Sequence, residues 1–138
     1  MKRKIATALS MFCILPGVLL GDDISGARNI LCSVLHSDVC LPDDGCATVE
    51  PYSLNIPQFI QLDARSGKLS TTPSSGENRE TTADSVSRSD GQLILQGVEL
   101  GRAFSLFIDE ASGNATFASA ANGVSLNVFA ACTPAAGK

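Results

Sequence analysis

Glycine-centred turns recur through the second half of this chain at near-constant spacing, and they restrict it to short strands folded back and forth. Ser89-Asp90-Gly91, Glu99-Leu100-Gly101, Glu110-Ala111-Ser112-Gly113 and Ala121-Asn122-Gly123 are separated by runs of about six to nine residues, the length of ordinary strands. Asp-Gly and Asn-Gly suit two-residue hairpin loops, whose central residues both need positive φ. The runs between the turns alternate. Phe104, Leu106 and Ile108 share one face, and Ser105, Phe107 and Asp109 the other. Val124, Leu126, Val128, Ala130 and Cys132 form the last alternating face.

The first half is less regular. Ile30 to Val39 is strand-like, with Ile30, Cys32 and Val34 on one face and Leu31, Ser33 and Leu35 on the other. A short helix over 27–35 is the alternative, because apolar runs of this length are ambiguous. Glu50-Pro51 to Ile56-Pro57 is irregular. Phe59 to Asp63 alternates, Ala64 to Gly67 turns, and Lys68 to Thr72 returns. Residues 73–82 offer no apolar side chain to bury and are expected to form a mobile surface loop. No segment holds a helical period over a dozen residues. The expected fold is all-β, an antiparallel meander of about eight strands. It forms a small closed or partly open barrel stabilised by disulfides.

The start of the chain reads as an export signal. Lys2-Arg3-Lys4 is followed by an uncharged apolar run from Ile5 to Leu20. That run, about 16 residues, is shorter than the ~20 needed to span a bilayer. Removal of residues 1–21 is expected. Ser25-Gly26-Ala27 is a better small-x-small site and extends the limit to 27. The expected organisation is then a single β domain over 28–134 and a tail at 135–138, in the periplasm or secreted.

Loss of the signal explains an odd count of five cysteines. Cys13 leaves, and Cys32, Cys40, Cys46 and Cys132 remain as a disulfide framework. If extended, 32 to 40 spans roughly 26 Å, whereas a disulfide needs Cα atoms about 5.5 Å apart. Cys40 and Cys46 flank a Pro-Asp-Asp-Gly turn that a bridge could staple. Cys40–Cys46 with Cys32–Cys132 is therefore the preferred pairing. A zinc site lacks both a Cys-x-x-Cys and more than one histidine.

Composition narrows the function classes. Aromatics are 5% of residues, with no Trp and one Tyr, so the core must be mostly aliphatic. Removing Lys2, Arg3 and Lys4 from the ten basic residues leaves seven against fourteen acidic ones, a net charge near −7. Such a surface repels phosphate backbones and has no polybasic patch for an anionic membrane. Neither nucleic acid nor, after signal removal, a membrane is an expected partner.

The stretch Leu95-Gln96-Gly97-Val98-Glu99-Leu100-Gly101-Arg102-Ala103-Phe104-Ser105-Leu106, the following Ile108-Asp109-Glu110-Ala111-Ser112-Gly113, the closing Phe129-Ala130-Ala131-Cys132-Thr133-Pro134 and the opening Arg28-Asn29-Ile30-Leu31-Cys32 resemble a pattern in small exported proteobacterial proteins. The resemblance covers most of the chain after the signal, apart from the polar segment. It implies an exported small β protein and supplies no catalytic residue.

Candidate chemistry is sparse. His36 is the sole histidine, and no Gly-x-Ser-x-Gly elbow accompanies it. Asp43-Asp44 and Asp109-Glu110 are adjacent carboxylates at turns, where acids are usually solvated. Neighbours on a strand face opposite ways, so neither pair is a ready acid–base couple. Asp43-Asp44-Gly45 lacks the spacing of an EF-hand loop. Arg102 opens a half-buried strand, where it could bind a ligand carboxylate or pair with Glu99. Possible contact residues are thus Arg102, His36, Asp43 and Asp44.

No cofactor is expected. The leading expectation is a non-enzymatic β-barrel that binds a small apolar ligand inside or a protein on its rim. The alternatives are an inhibitor of a hydrolase acting through the Cys40–Cys46 loop, and an enzyme using His36. The ligand reading requires a cavity of at least ~300 Å³. An interior packed solid by Leu93, Leu95, Phe104, Leu106, Leu126 and Val128 would exclude it.

Overall fold

The computed structural model describes residues 21–75 and 78–136, so the signal segment 1–20 lies outside the described residues. Ten strands form among them: β1 (Asn29–Leu41), β2 (Gly45–Val49), β3 (Phe59–Asp63), β4 (Lys68–Thr71), β5 (Glu80–Thr82), β6 (Ser85–Ser89), β7 (Gln92–Glu99), β8 (Arg102–Asp109), β9 (Asn114–Ala121) and β10 (Val124–Pro134). Nine of them pair antiparallel in the order β5-β4-β3-β1-β10-β9-β8-β7-β6, a sheet curled into a half-barrel, and β2 pairs with β1 off this path. Short 3-10 turns occupy Pro51–Leu54 and Pro73–Ser75.

First and last strands pair, as a closing meander requires, and Cys32 lies directly opposite Cys132. Both preferred disulfides are present, Cys32–Cys132 and Cys40–Cys46, each between register partners. The opening lies elsewhere. β5 and β6 follow one another across Ala83-Asp84, and no ladder joins them among the described residues. Every residue of β6 is exposed, so little apolar surface drives that seam shut.

The polar segment 73–82 is not wholly a loop. Glu80–Thr82 forms β5 on β4, with Lys68 Nζ 2.6 Å from Glu80 Oε2. Main-chain hydrogen bonds and an ion pair support a strand there without apolar burial.

β1 is a strand throughout rather than a helix over 27–35, because it finds partners on both edges. β3 pairs with its first part, β2 with its last, and β10 runs along the other side. Between Val34 and His36 the register shifts, leaving Leu35 as a bulge. The bulge reverses the alternation. Ile30 and Cys32 are buried before it, and Ser37 after it. Here the chain leaves the sheet for residues 50–58, and the β1–β2 hairpin continues outward as a disulfide-closed finger.

One end of the half-barrel is solidly packed. Ile24, Ile30, Leu62, Leu93, Leu95, Ile108 and Cys132 are all fully buried. Ile24 belongs to a strap, residues 22–27, that crosses this end. Asp22 N–H donates to the Cys132 carbonyl and Ile24 N–H to the Glu110 carbonyl. The strap lies so close that a Cβ on Gly113, whose φ is 66°, would sit 2.4 Å from the Cys132 carbonyl oxygen and 2.5 Å from that of Asp22. The β domain therefore begins before residue 28, because its core includes Ile24.

Asp109 and Glu110 part company at this end. Asp109 accepts hydrogen bonds from the Ser112 hydroxyl and N–H, the hydroxyl first in effect, and both lower its pKa. Glu110, read from sequence as solvated, is only 5% exposed. Its Oε1 lies 2.7 Å from Arg88 Nε, an electrostatic contact rather than a well-directed hydrogen bond. Arg88 also donates to the Ala27 carbonyl, tying β6 to the strap.

Candidate functional site: the open end of the half-barrel

The inward faces that fill the closed end continue toward the other end with fewer atoms. On β8 the inward residues run Ile108, Leu106, Phe104 and then Arg102, from fully buried to exposed. On β10 they run Cys132, Ala130, Val128, Leu126 and Val124, again ending in solvent. On β9, Phe117 is followed by the small Ser119. The result is a cavity of about 320 Å³, open at its mouth. Its floor is Ile60, Leu69, Phe104, Phe117, Leu126 and Val128, and the 54–57 excursion walls one side. The interior is therefore not packed solid. Leu93 and Leu95 fill the far end, while Phe104, Leu126 and Val128 line a hollow.

Two features set the shape of the floor. Phe104 and Phe117 stack with ring centroids 5.6 Å apart. Phe104 faces Gly97 across the β7–β8 ladder, and a Cβ at Gly97 would come within 2.8 Å of Phe104 Cζ. Gly97 thus lets the ring lie flat against the wall rather than across the cavity.

The mouth is charged and includes one misplaced apolar residue. Arg79, Glu80, Glu99 and Arg102 line it, with Leu100 between the last two. Glu80 is engaged by Lys68, and Arg79 Nη1 donates to the Asn55 carbonyl at 2.8 Å. Arg102 and Glu99 are register partners. Among the described residues, however, Arg102 takes part in no side-chain hydrogen bond or ion pair. The expected Glu99 pairing is not made, and the guanidinium stands exposed at the lip.

The other candidate residues do not join this site. His36 stacks on Phe129, centroids 4.5 Å apart, and forms no hydrogen bond with a serine or carboxylate among the described residues. Asp43 and Asp44 are exposed at the tip of the β1–β2 finger. No cluster of three or more metal-ligating side chains occurs among the described residues. A second hollow of about 580 Å³ lies beside the Leu35 bulge, with Glu50, Asn55, Gln58, Ser74 and Ser75 in its lining. Val34, Leu35, Ile56 and Phe59 also line it, but its exposed lining is more polar than apolar, the reverse of the first.

Sequence reasoning reached Arg102 and the inward face of β8. It missed Leu100, read only as part of a turn. The available signal was Leu at a position where the other two-residue turns carry Asp90 and Asn122. No family model matches this chain, and no curated protein or solved structure matches it either.

Proposed function

We propose that this protein is an exported, non-enzymatic binding protein that takes a small apolar ligand into the open end of its half-barrel. The observation that carries this reading is the cavity itself. About 320 Å³ of open-mouthed space over an aliphatic and aromatic floor falls at the small end of the range for small-molecule sites.

Export is supported by the basic and apolar segment at residues 2–20 and by the two disulfides. The buried Ile24 favours processing at or before residue 21 over processing at 27. No helix among the described residues is long and apolar enough to cross a membrane.

The test is titration of the disulfide-intact protein with the neutral fluorophore N-phenyl-1-naphthylamine. Saturable one-to-one binding is expected. It should be lost in Ser119→Phe, which places a ring in the hollow opposite Phe104. Absence of saturable binding, or binding indifferent to Ser119→Phe, would overturn the reading.

A second reading, an inhibitor of a hydrolase, draws on the β1–β2 finger. Its residues Gly45–Thr48 are all exposed, and Cys40–Cys46 fixes its shape. Capture of a hydrolase from native periplasm that depends on Asp43 and Asp44 would favour it over the ligand reading.

A further inference from the structure

The ligand's chemistry is written on the lip hairpin, Glu99 to Arg102. The inference rests on the ligand reading above. We infer that the cavity takes a single-chain amphiphile carrying one carboxylate, with its apolar body on the Phe104–Phe117 floor, its head at Arg102, and Leu100 against the chain at the mouth.

Two independent observations support this. The first is the phase of Arg102. It shares the inward face of β8 with Phe104, Leu106 and Ile108, so its side chain belongs to the cavity wall rather than the outer surface. It is exposed and, among the described residues, makes no side-chain hydrogen bond or ion pair, although Glu99 lies opposite it in the ladder. Of the two acids at the lip, Glu80 is held by Lys68 at 2.6 Å. A planar guanidinium with free donors suits a carboxylate, which it can bind through two parallel hydrogen bonds. Glu99 beside it favours a head with one negative charge over a dianionic phosphate.

The second is the backbone at Leu100. Its φ is 50°, in the left-handed region, and Gly101 follows at 77°. That two-residue turn accepts Asn or Gly readily and a bulky aliphatic residue poorly. Leu100 is also 91% exposed. A strained conformation and an apolar side chain in water both act against stability at this one position. Residues kept under such strain cluster at ligand sites. Leu100 lines the mouth, where an entering apolar chain would cover it. The volume, about 320 Å³, suits one chain and not a diacyl lipid.

The experiment is displacement of N-phenyl-1-naphthylamine by decanoate, decanol, decylamine and decyl phosphate, all below their micellar concentrations, at neutral pH. Wild type should bind decanoate about tenfold more tightly than decanol, the scale of one charge-assisted hydrogen-bond pair, and more tightly than decylamine or decyl phosphate. Arg102→Gln should erase the decanoate–decanol difference. Leu100→Asn should raise the melting temperature by about 3 °C and weaken decanoate and decanol alike. Equal affinities for decanoate and decanol in wild type would overturn the inference, as would preference for decylamine or decyl phosphate. So would a preference that survives Arg102→Gln, or a Leu100→Asn variant with unaltered affinities. Those outcomes leave the ligand reading standing, whereas failure of the fluorophore itself to bind removes that reading first.

Discussion

Asp63 ends β3 with its carboxylate 3.0 Å from the Arg28 guanidinium and under the N–H groups of Arg65 and Ser66. The hydrogen bond from Arg28, followed by that from Arg65, holds its pKa at about 2 against an ordinary 3.8. A depressed carboxylate stabilises the fold fully above its unfolded pKa and loses that contribution as pH falls through the folded one. Wild type should therefore lose stability between about pH 4 and pH 2 more steeply than Asp63→Asn, as read from unfolding midpoints against pH. Identical profiles would contradict the assignment. The buried acid at the closed end makes a different prediction. Arg88→Ala strands Glu110 at 5% exposure and removes the bond to Ala27, so urea denaturation should show a loss of about 3 kcal/mol. The double change Arg88→Met with Glu110→Leu should recover much of that loss, since no charge is then left buried alone.

At the scale of elements, the strap and the disulfides carry the sharpest expectations. A chain beginning at Arg28 lacks Ile24, which is fully buried, and the two strap hydrogen bonds to the Cys132 and Glu110 carbonyls. It should lose about 3 kcal/mol or more relative to a chain beginning at Gly21, which keeps both. The two bridges differ by loop size. Cys32–Cys132 closes a separation of 100 residues and Cys40–Cys46 one of 6. In the chain-entropy account, replacing both cysteines by serine should cost about 4–5 kcal/mol for the first pair and about 2 kcal/mol for the second. Hydrogen exchange should show the finger amides of the second variant losing protection beyond this global loss, because the bridge also holds the finger's shape.

The elements also show what a sequence can disclose. The strands from Gln92 to Pro134 were legible because each turn carries its own chemistry and each strand buries one face. β5 was not, because Glu80–Thr82 is held by main-chain pairing, which leaves no hydrophobic pattern. The Leu35 bulge was also hidden, since either phase of Ile30–Val39 reads as a strand. Of the site, Arg102 was legible from its place at the head of an alternating strand. The hollow depends on Ser119, Gly97 and the 54–57 excursion meeting in space, which no local pattern encodes.

The whole molecule has two unlike ends on one curled sheet. The strap, the Arg88–Glu110 pair and the inter-strand disulfide secure the packed end. That rigidity lets the other end keep an unfilled interior and a strained lip without losing the fold. Without residues 1–21 the chain is acidic, seven basic residues against fourteen acidic, so its overall field does not attract an anion. Recognition of a carboxylate must be local to Arg102, and because that guanidinium is exposed the preference for decanoate over decanol should shrink as salt is added. The most direct test is amide chemical-shift mapping of the disulfide-intact chain from Gly21 titrated with decanoate. The account predicts saturable shifts confined to the open end, at Leu100, Arg102, Phe104, Phe117 and Ser119. The strap and the Cys40–Cys46 finger should stay still. Shifts centred on the finger or the closed end, or no saturable shifts at all, would contradict it.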